Sequence, residues 1–85
     1  MPNVNKDELL QRITVDPKIM VGKPVIRGLR ITVQQILESL AAGVKEEELL
    51  EDYPELDAND IKAVLLYANQ LVKEERVYEI NKQNL

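Results

Sequence analysis

The stretch TVQQILESLAAG, residues 32–43, carries the clearest helix signals in this chain. Thr32 and Gln35 have the spacing of a capping box, in which each side chain accepts a hydrogen bond from the other residue's backbone N–H. The apolar positions of the stretch recur at the spacing of one buried helical face, and Gly43 is the residue type that most often closes a helix in the left-handed conformation. The stretch therefore predicts an amphipathic helix that ends at Gly43.

Two further helices are expected after this first one. Glutamates at 46–48 fill the first turn of a short helix, where carboxylates favour the positive end of the helix dipole, and Pro54 ends it. Asp57 is placed to cap a longer third helix. The inner face of that helix is expected to hold its periodic apolar residues, Ile61, Val64, Leu65, Ala68 and Val72.

The N-terminal third predicts a short helix and then a β ribbon. Asn5 and Glu8 have capping-box spacing, so a helix through about Gln11 is expected. Short β-type runs separated by turn residues follow, at 12–15, 19–21 and 24–26. The ribbon leads directly into the helix that begins after Thr32.

Together these elements predict a mainly α fold, a three-helix, helix-turn-helix-like bundle preceded by a short β-hairpin or ribbon. The 85 residues are enough for one domain. Its expected parts are an N-terminal extension with a short helix, a β ribbon, a helical core and a tail, at 1–11, 12–31, 32–76 and 77–85.

Neither cysteine nor histidine occurs in the chain. This removes disulfides, thiolate metal sites, the commonest general base and the commonest metal ligand. We therefore expect no enzymatic activity, no catalytic residue, no metal and no cofactor. No apolar run is long enough for a signal peptide or for the roughly 20 residues that span a bilayer, so a soluble cytoplasmic protein without a membrane partner is expected.

Two patterns that could carry chemistry have simpler interpretations. Gly22-Lys23 lacks the glycine five residues earlier, and the Ser or Thr afterwards, that a phosphate-binding loop requires. The carboxylates of Asp57 and Asp60 could hold Mg²⁺ or act as an acid and base pair, but their position at a helix start favours a capping role.

The charges of the chain are strongly segregated. The net charge is -4, yet residues 16–33 have a local balance of +3 and residues 45–60 a local balance of -7. The candidate contacts with DNA or another anionic partner are the cations of the first segment, Lys18, Lys23, Arg27 and Arg30. Two alternatives stay open: these are ordinary solvated charges, or Arg27 and Arg30 pair with the acidic helix inside the fold.

Apolar residues outside the expected core indicate a protein interface. The chain has no Phe or Trp, so its core is modest and a homodimer would help to stabilise it. The third helix is apolar on more than one face, and the tail mixes apolar with polar residues. The candidate toxin or dimer interface consists of Tyr67, Leu71, Val77, Tyr78 and Ile80.

A family likeness rests on an ordered set of motifs between about Arg12 and Ala68: ITVDP at 13–17, GKPVIRG at 22–28 with Arg30, LAAG at 40–43, EELL at 47–50, YPEL at 53–56 and DIKA at 60–63. This set resembles the domain of unknown function 433 family, small bacterial and archaeal proteins with a helix-turn-helix-like fold. The resemblance implies an antitoxin role, in which the protein neutralises a PIN-like ribonuclease toxin and represses their shared promoter.

Three positions depart from the family pattern, which usually has Thr at Leu29, Pro at Thr32 and Ser or Thr at Lys45. Thr32 preserves a helix start. Lys45 has no acceptor atom, so the second helix is expected to lack a side-chain cap and to begin late or fray.

The leading hypothesis is an antitoxin-like component of a toxin–antitoxin module that neutralises a PIN-like ribonuclease, with the cationic ribbon binding operator DNA or an acidic surface. The alternative is a small dimeric protein-interaction module without nucleic-acid binding, in which Arg27 and Arg30 are structural.

Overall fold

The computed structural model describes residues 5–75 of the chain. Within them lie four α helices and two short strands. The helices are α1 (Lys6–Leu10), α2 (Val33–Ala41), α3 (Glu46–Asp52) and α4 (Ala58–Glu75), and the strands are β1 (Ile13–Thr14) and β2 (Val25–Ile26). The prediction of a mainly helical fold, in which a short antiparallel ribbon precedes three helices, is confirmed.

The short N-terminal helix forms where its capping residue predicts it. The side-chain oxygen of Asn5 accepts backbone hydrogen bonds from Asp7 at 2.7 Å and from Glu8 at 3.4 Å. These contacts satisfy N–H groups that the first turn of a helix leaves without partners. α1 buries Leu9 and packs against α4, so the N-terminal extension is part of the domain.

The ribbon pairs β1 with β2 in antiparallel register, with Ile13 opposite Ile26. The expectation of a β-type run at 19–21 is wrong. A 3₁₀ turn, Met20–Gly22, takes its place, and its three residues have φ angles of 51°, 58° and 80°. Strand backbone requires negative φ, so this segment cannot join the ribbon.

α2 has both predicted ends. Thr32 Oγ1 accepts the backbone N–H of Gln35 at 3.0 Å, and Gln35 Oε1 accepts that of Thr32 at 2.9 Å. Gly43 takes a φ of 95°, and the next N–H, from Val44, donates to the carbonyl of Ser39 at 3.0 Å. This is the hydrogen-bond pattern of a glycine-terminated helix.

α3 begins at Glu46, directly after Lys45. The expectation that this helix begins late is therefore wrong, although Lys45 provides no side-chain cap, as expected. The carboxylate of Glu48 accepts the backbone N–H of Lys45 at 3.0 Å, which is one half of a capping box. Together with the favourable interaction of the first-turn glutamates with the helix dipole, this contact is sufficient for a normal helix start.

The core joins the ribbon to α2, α3 and α4. Its members are buried aliphatic residues from all of these elements, Ile26, Ile31, Val33, Ile36, Leu49, Leu56, Ile61 and Val64. Two residues expected on the inner face of α4, Leu65 and Val72, are instead exposed. The buried residues of this helix are Asp60, Ile61, Ala63 and Val64, all within its first two turns. Among residues 5–75, no helix is both long and apolar enough to cross a bilayer.

Candidate partner-binding site

Asp60, in the first turn of α4, is the centre of a buried ionic network. Its side chain is 0% exposed. Oδ1 accepts hydrogen bonds from Arg27 Nε and Arg12 Nη1, both at 2.9 Å. Oδ2 accepts one from Arg27 Nη2 at 2.8 Å and one from the backbone N–H of Asp57 at 2.9 Å. Every polar atom of this carboxylate is therefore satisfied, as burial of a charge requires.

The same contacts organise the start of α4. Asp57 Oδ1 accepts the backbone N–H of Asp60 at 3.0 Å, so the two aspartates form a reciprocal capping box. Asp57 also accepts a hydrogen bond from Arg12 Nη1 at 2.9 Å. The capping role predicted for Asp57 is thus confirmed, and Asp60 has a second role as the partner of two arginines.

The ribbon brings both arginines to one place. The backbone N–H of Arg27 donates to the carbonyl of Arg12, which fixes the two residues side by side at the end of the strand pair. Arg27 itself has a φ of 48°, and the turn it belongs to is held by a hydrogen bond from Gly28 N to Thr14 Oγ1 at 3.0 Å. The left-handed turn therefore aims the Arg27 side chain at the start of α4.

Charge pairing sets the ionisation of this network. Burial alone would raise the pKa of Asp60, but the hydrogen bonds from Arg27, the backbone of Asp57 and Arg12 outweigh it, so the pKa lies below its ordinary value. The hydrogen bonds to Asp60 likewise raise the pKa values of Arg12 and Arg27. All three groups are charged at neutral pH.

Arg27 is therefore removed from the candidate contacts with an anionic partner. Its guanidinium forms a two-pronged pair with Asp60, and Nη2 also donates to the carbonyl of Glu55 at 2.6 Å. Arg27 therefore pairs inside the fold, as one of the two alternatives expected. Its partner is an aspartate of α4, however, and not a glutamate of the acidic helix.

The other three candidate cations, Lys18, Lys23 and Arg30, have exposed side chains. Within residues 5–75 none of them forms a salt bridge. Arg30 Nη1 lies 4.0 Å from the sulfur of Met20, which places this guanidinium beside the 3₁₀ turn. These three cations and the turn form one positively charged surface, called here the cationic edge.

An apolar groove of about 430 Å³ lies between α2 and α4. Val33, Leu37 and Ala41 line it along α2, and Tyr67 and Leu71 line it along α4. The other residues that line it are the charged Lys23 and Glu38, the polar Thr32 and Gln34, and Pro24. Tyr67 and Leu71, predicted as interface residues from the sequence, therefore share one groove. The other predicted interface residues, Val77, Tyr78 and Ile80, lie outside the described residues.

Sequence reasoning missed Arg12 and the contribution of α2 to the groove. Arg12 stands alone among polar and apolar residues, and nothing local distinguishes it from a solvated charge. The spacing of Asp57 and Asp60 did signal a helix start, but a capping role gives no indication of burial. Among residues 5–75 there is no group of three or more side chains arranged to hold a metal ion.

Residues 13–68 match the family described as protein of unknown function (DUF433). The chain is 41% identical over 68 residues to the uncharacterized protein y4eO of Sinorhizobium fredii, a match that covers 78% of this chain and 31% of that protein. An uncharacterized protein of Archaeoglobus fulgidus is 62% identical over 24 residues, which are 28% of this chain and 67% of that relative.

The fold also has a crystallographic counterpart. A DUF433 member from Anabaena variabilis superposes with a TM-score of 0.69 at 33% identity, over 75% of this chain and 63% of that one. The chain thus spans less than a third of the Sinorhizobium protein, and the matched region includes the ribbon, α2, α3 and most of α4. On the family match and these relatives, the chain belongs to the DUF433 family.

Proposed function

We propose that this chain is a non-catalytic, cytoplasmic protein-binding component of the antitoxin type, which binds a helix of its partner protein in the groove between α2 and α4. The observation that carries this proposal is the groove itself, about 430 Å³ of apolar space with Leu71 on its wall. Leu71 is 47% exposed. Binding a partner would remove this apolar surface from water, which is the main favourable term in protein association.

The shape of the groove favours an elongated occupant. Val33, Leu37 and Ala41 follow one another at four-residue intervals on α2, so they extend over about 12 Å. Tyr67 and Leu71 repeat the same spacing on the opposite wall. The α2 wall is thus about 12 Å long and the α4 wall about 6 Å, which suits one to two turns of an amphipathic helix that inserts side chains at i, i+3 or i+4, and i+7.

Charges at the rim specify the partner further. Lys23 lies at the end of the groove where α2 begins, and Glu38 lies toward the end where α2 finishes. A complementary helix carries a carboxylate near Lys23 and a cation near Glu38, with apolar residues between them. The family resemblance implies a PIN-like ribonuclease as the protein that supplies such a helix.

Operator DNA is a second candidate ligand, because the cationic edge is exposed and free of salt bridges within residues 5–75. A second copy of this chain is the competing occupant of the groove between α2 and α4, and the two copies would then form a homodimer. The acidic α3 is placed where a helix-turn-helix protein would insert its recognition helix, and its glutamates would repel phosphates.

The groove is tested by two matched substitutions on α4. Leu71→Asp places a charge in the groove, whereas Leu65→Asp changes an equally exposed leucine, 50% against 47%, that does not line it. Each variant is co-expressed with the product of the adjacent reading frame, and the complex is measured by affinity purification and size-exclusion chromatography. We expect Leu71→Asp to weaken the complex at least about 30-fold and Leu65→Asp to leave it unchanged.

Equal retention of the complex by both variants would show that the groove is not the binding site. A wild-type dimer that Leu71→Asp dissociates, without any complex with the neighbouring product, would assign the groove to a second copy.

Operator binding is measured separately by titrating the upstream DNA at two salt concentrations. The affinity should fall with salt, and the fall should become shallower when Lys18, Lys23 and Arg30 are changed to Ala. Absence of binding at low salt would remove DNA from the proposal.

A further inference from the structure

The turn Met20–Gly22 carries an unusual backbone. All three of its residues are left-handed, and the central one is Val21, with a φ of 58°. Glycine adopts this conformation freely, but a β-branched side chain at positive φ meets steric conflict with its own backbone. Strain of this kind persists only where surrounding contacts impose it, and it is concentrated at functional surfaces.

Hydrogen bonds on both sides hold the turn in place. The backbone N–H of Ile19 donates to the carbonyl of Asp16 at 2.8 Å, and that of Gly22 donates to the carbonyl of Ile19 at 3.1 Å. Asp16 Oδ1 also accepts the backbone N–H of Lys18 at 2.9 Å. The result is a braced turn from which the side chain of Val21 projects, 90% exposed.

Three cations lie close to the turn that carries this valine. Lys18 and Lys23 lie three residues before it and two after it, and Arg30 is held against the neighbouring Met20. Val21 and these three cations all belong to the cationic edge, and together they are called here the cationic knob. An apolar anchor inside a charged rim is the usual anatomy of a protein-binding contact.

Two considerations favour an acidic protein surface over DNA as the partner of the knob. Three cations neutralise at most about three phosphates, against the roughly 6 to 10 contacts of well-characterised DNA-binding proteins, and the chain as a whole is negatively charged. Phosphate groups also offer no apolar surface to a small exposed valine. An acidic protein surface with an apolar centre satisfies both parts of the knob.

The chain itself carries such a surface on α3. Leu50 is half-buried, packed in part against the core, and the exposed Glu46 and Glu47 lie four and three residues before it, one turn away on the same helical face. Glu51 extends the negative charge by one residue. Within residues 5–75, none of these glutamates forms a salt bridge.

We propose that the cationic knob of one copy docks on the acidic face of α3 of a second copy, with Val21 against the exposed part of Leu50 and the lysines and Arg30 against the neighbouring glutamates. The two surfaces are different, so the contact is head to tail. Each copy then uses both of its surfaces, and the assembly either closes into a ring or continues as a chain.

Sedimentation velocity of the purified protein tests this contact at about 0.01 M and about 1 M salt, between which the Debye length falls from about 30 Å to about 3 Å. The wild type should self-associate at low salt and sediment as a single chain at high salt. Lys18→Glu with Arg30→Glu, or Glu47→Lys with Glu51→Lys, should each lower the association constant at least about tenfold.

A mixture of the two charge-reversed variants provides the decisive measurement. Each variant alone opposes like charges, whereas the mixture restores opposite charges at every contact between unlike copies, so the mixture should associate again. Circular dichroism of each variant establishes that it is folded. A test that leaves α3 unchanged compares Val21→Ala with Val15→Ala: the first should weaken association and the second, another exposed valine, should not.

A wild type that remains a single chain at low salt would overturn the proposal. So would association that neither charge reversal affects, since it would place the interface elsewhere, or a mixture that fails to associate. Equal effects of Val21→Ala and Val15→Ala would also overturn it. None of these measurements depends on Leu71. The results can therefore refute the groove as a binding site and still support the knob, or refute the knob and still support the groove.

Discussion

Asp60→Asn should destabilise the fold strongly, because it neutralises the centre of the buried ionic network. The asparagine side chain has the same shape, but one of its two polar atoms is an NH₂ group. Each carboxylate oxygen of Asp60 accepts two hydrogen bonds, from Arg27 and Arg12 at Oδ1 and from Arg27 and the Asp57 backbone at Oδ2. In either orientation, the amide therefore places two donors of its own against two N–H donors.

The expected loss is about 3 kcal/mol of unfolding free energy. Breaking a buried ion pair by neutralising one partner costs about 3–5 kcal/mol. The lower end applies because the side chains of Arg12 and Arg27 are 29% and 40% exposed and can recover some hydration. For a domain of this size, about 3 kcal/mol lowers the melting temperature by about 12–24 °C. The total stability is expected to be about 4–13 kcal/mol, so the variant should still fold at room temperature.

Urea unfolding followed by circular dichroism measures this loss, with Asp57→Asn as the matched control. Asp57 belongs to the same capping box, but its side chain is 60% exposed. Asparagine caps a helix as well as aspartate does, so the control loses only the exposed pair with Arg12, about 0–1 kcal/mol. If Asp60→Asn costs no more than Asp57→Asn, the buried network does not hold the ribbon to α4.

Two further predictions concern pH and the start of α3. Because the folded pKa of Asp60 lies below its unfolded value, its stabilisation is fully present above about pH 4 and is lost as the pH falls through the folded pKa. Urea unfolding between about pH 3 and pH 7 should therefore show the deficit of Asp60→Asn as constant near neutrality and smaller in acid. Lys45→Ser should supply the side-chain cap that α3 lacks and raise the unfolding free energy by about 1 kcal/mol, whereas no gain would mean that Glu48 already satisfies this end.

Helix ends could be predicted from the sequence because their signals are local. The capping box of Thr32 and Gln35 needs only residues three positions apart, and the left-handed closure at Gly43 needs only the residue type. The late start expected for α3 is wrong, because the carboxylate of Glu48 compensates for the missing side-chain cap at Lys45. The capping rule gave a wrong start for α3 only because a second local contact, from Glu48, takes the place of the missing cap.

The burial of Asp60 could not be predicted in the same way. Its arginine partners are 33 and 48 residues away in the chain, and no spacing pattern connects them. On the inner face expected for α4, Ile61 and Val64 lie in the core as predicted, whereas Leu65 and Val72 are exposed.

Only the α4 wall of the candidate groove could be predicted from the sequence, for a related reason. Tyr67 and Leu71 stood out because they widened the apolar stripe of α4 beyond what a core requires. Leu37 and Ala41 did not, since the periodicity of α2 assigns them to its buried face without indicating where α4 leaves that face uncovered. Which part of an apolar stripe stays open depends on the tertiary arrangement.

The buried network connects stability to the candidate site. Asp60 and Leu71 are on α4, whereas Arg27 follows β2, and the residue before β2, Pro24, lines the same groove as Leu71. The ion pair therefore ties the ribbon, which contributes Pro24 to the groove, to α4, which contributes Leu71. Replacing a buried ion pair by apolar residues is often neutral for stability, so the reason to retain these charges is better sought in geometry than in energy. An arginine fork on a carboxylate has one preferred orientation, and this orientation holds the ribbon end of the groove in register with α4.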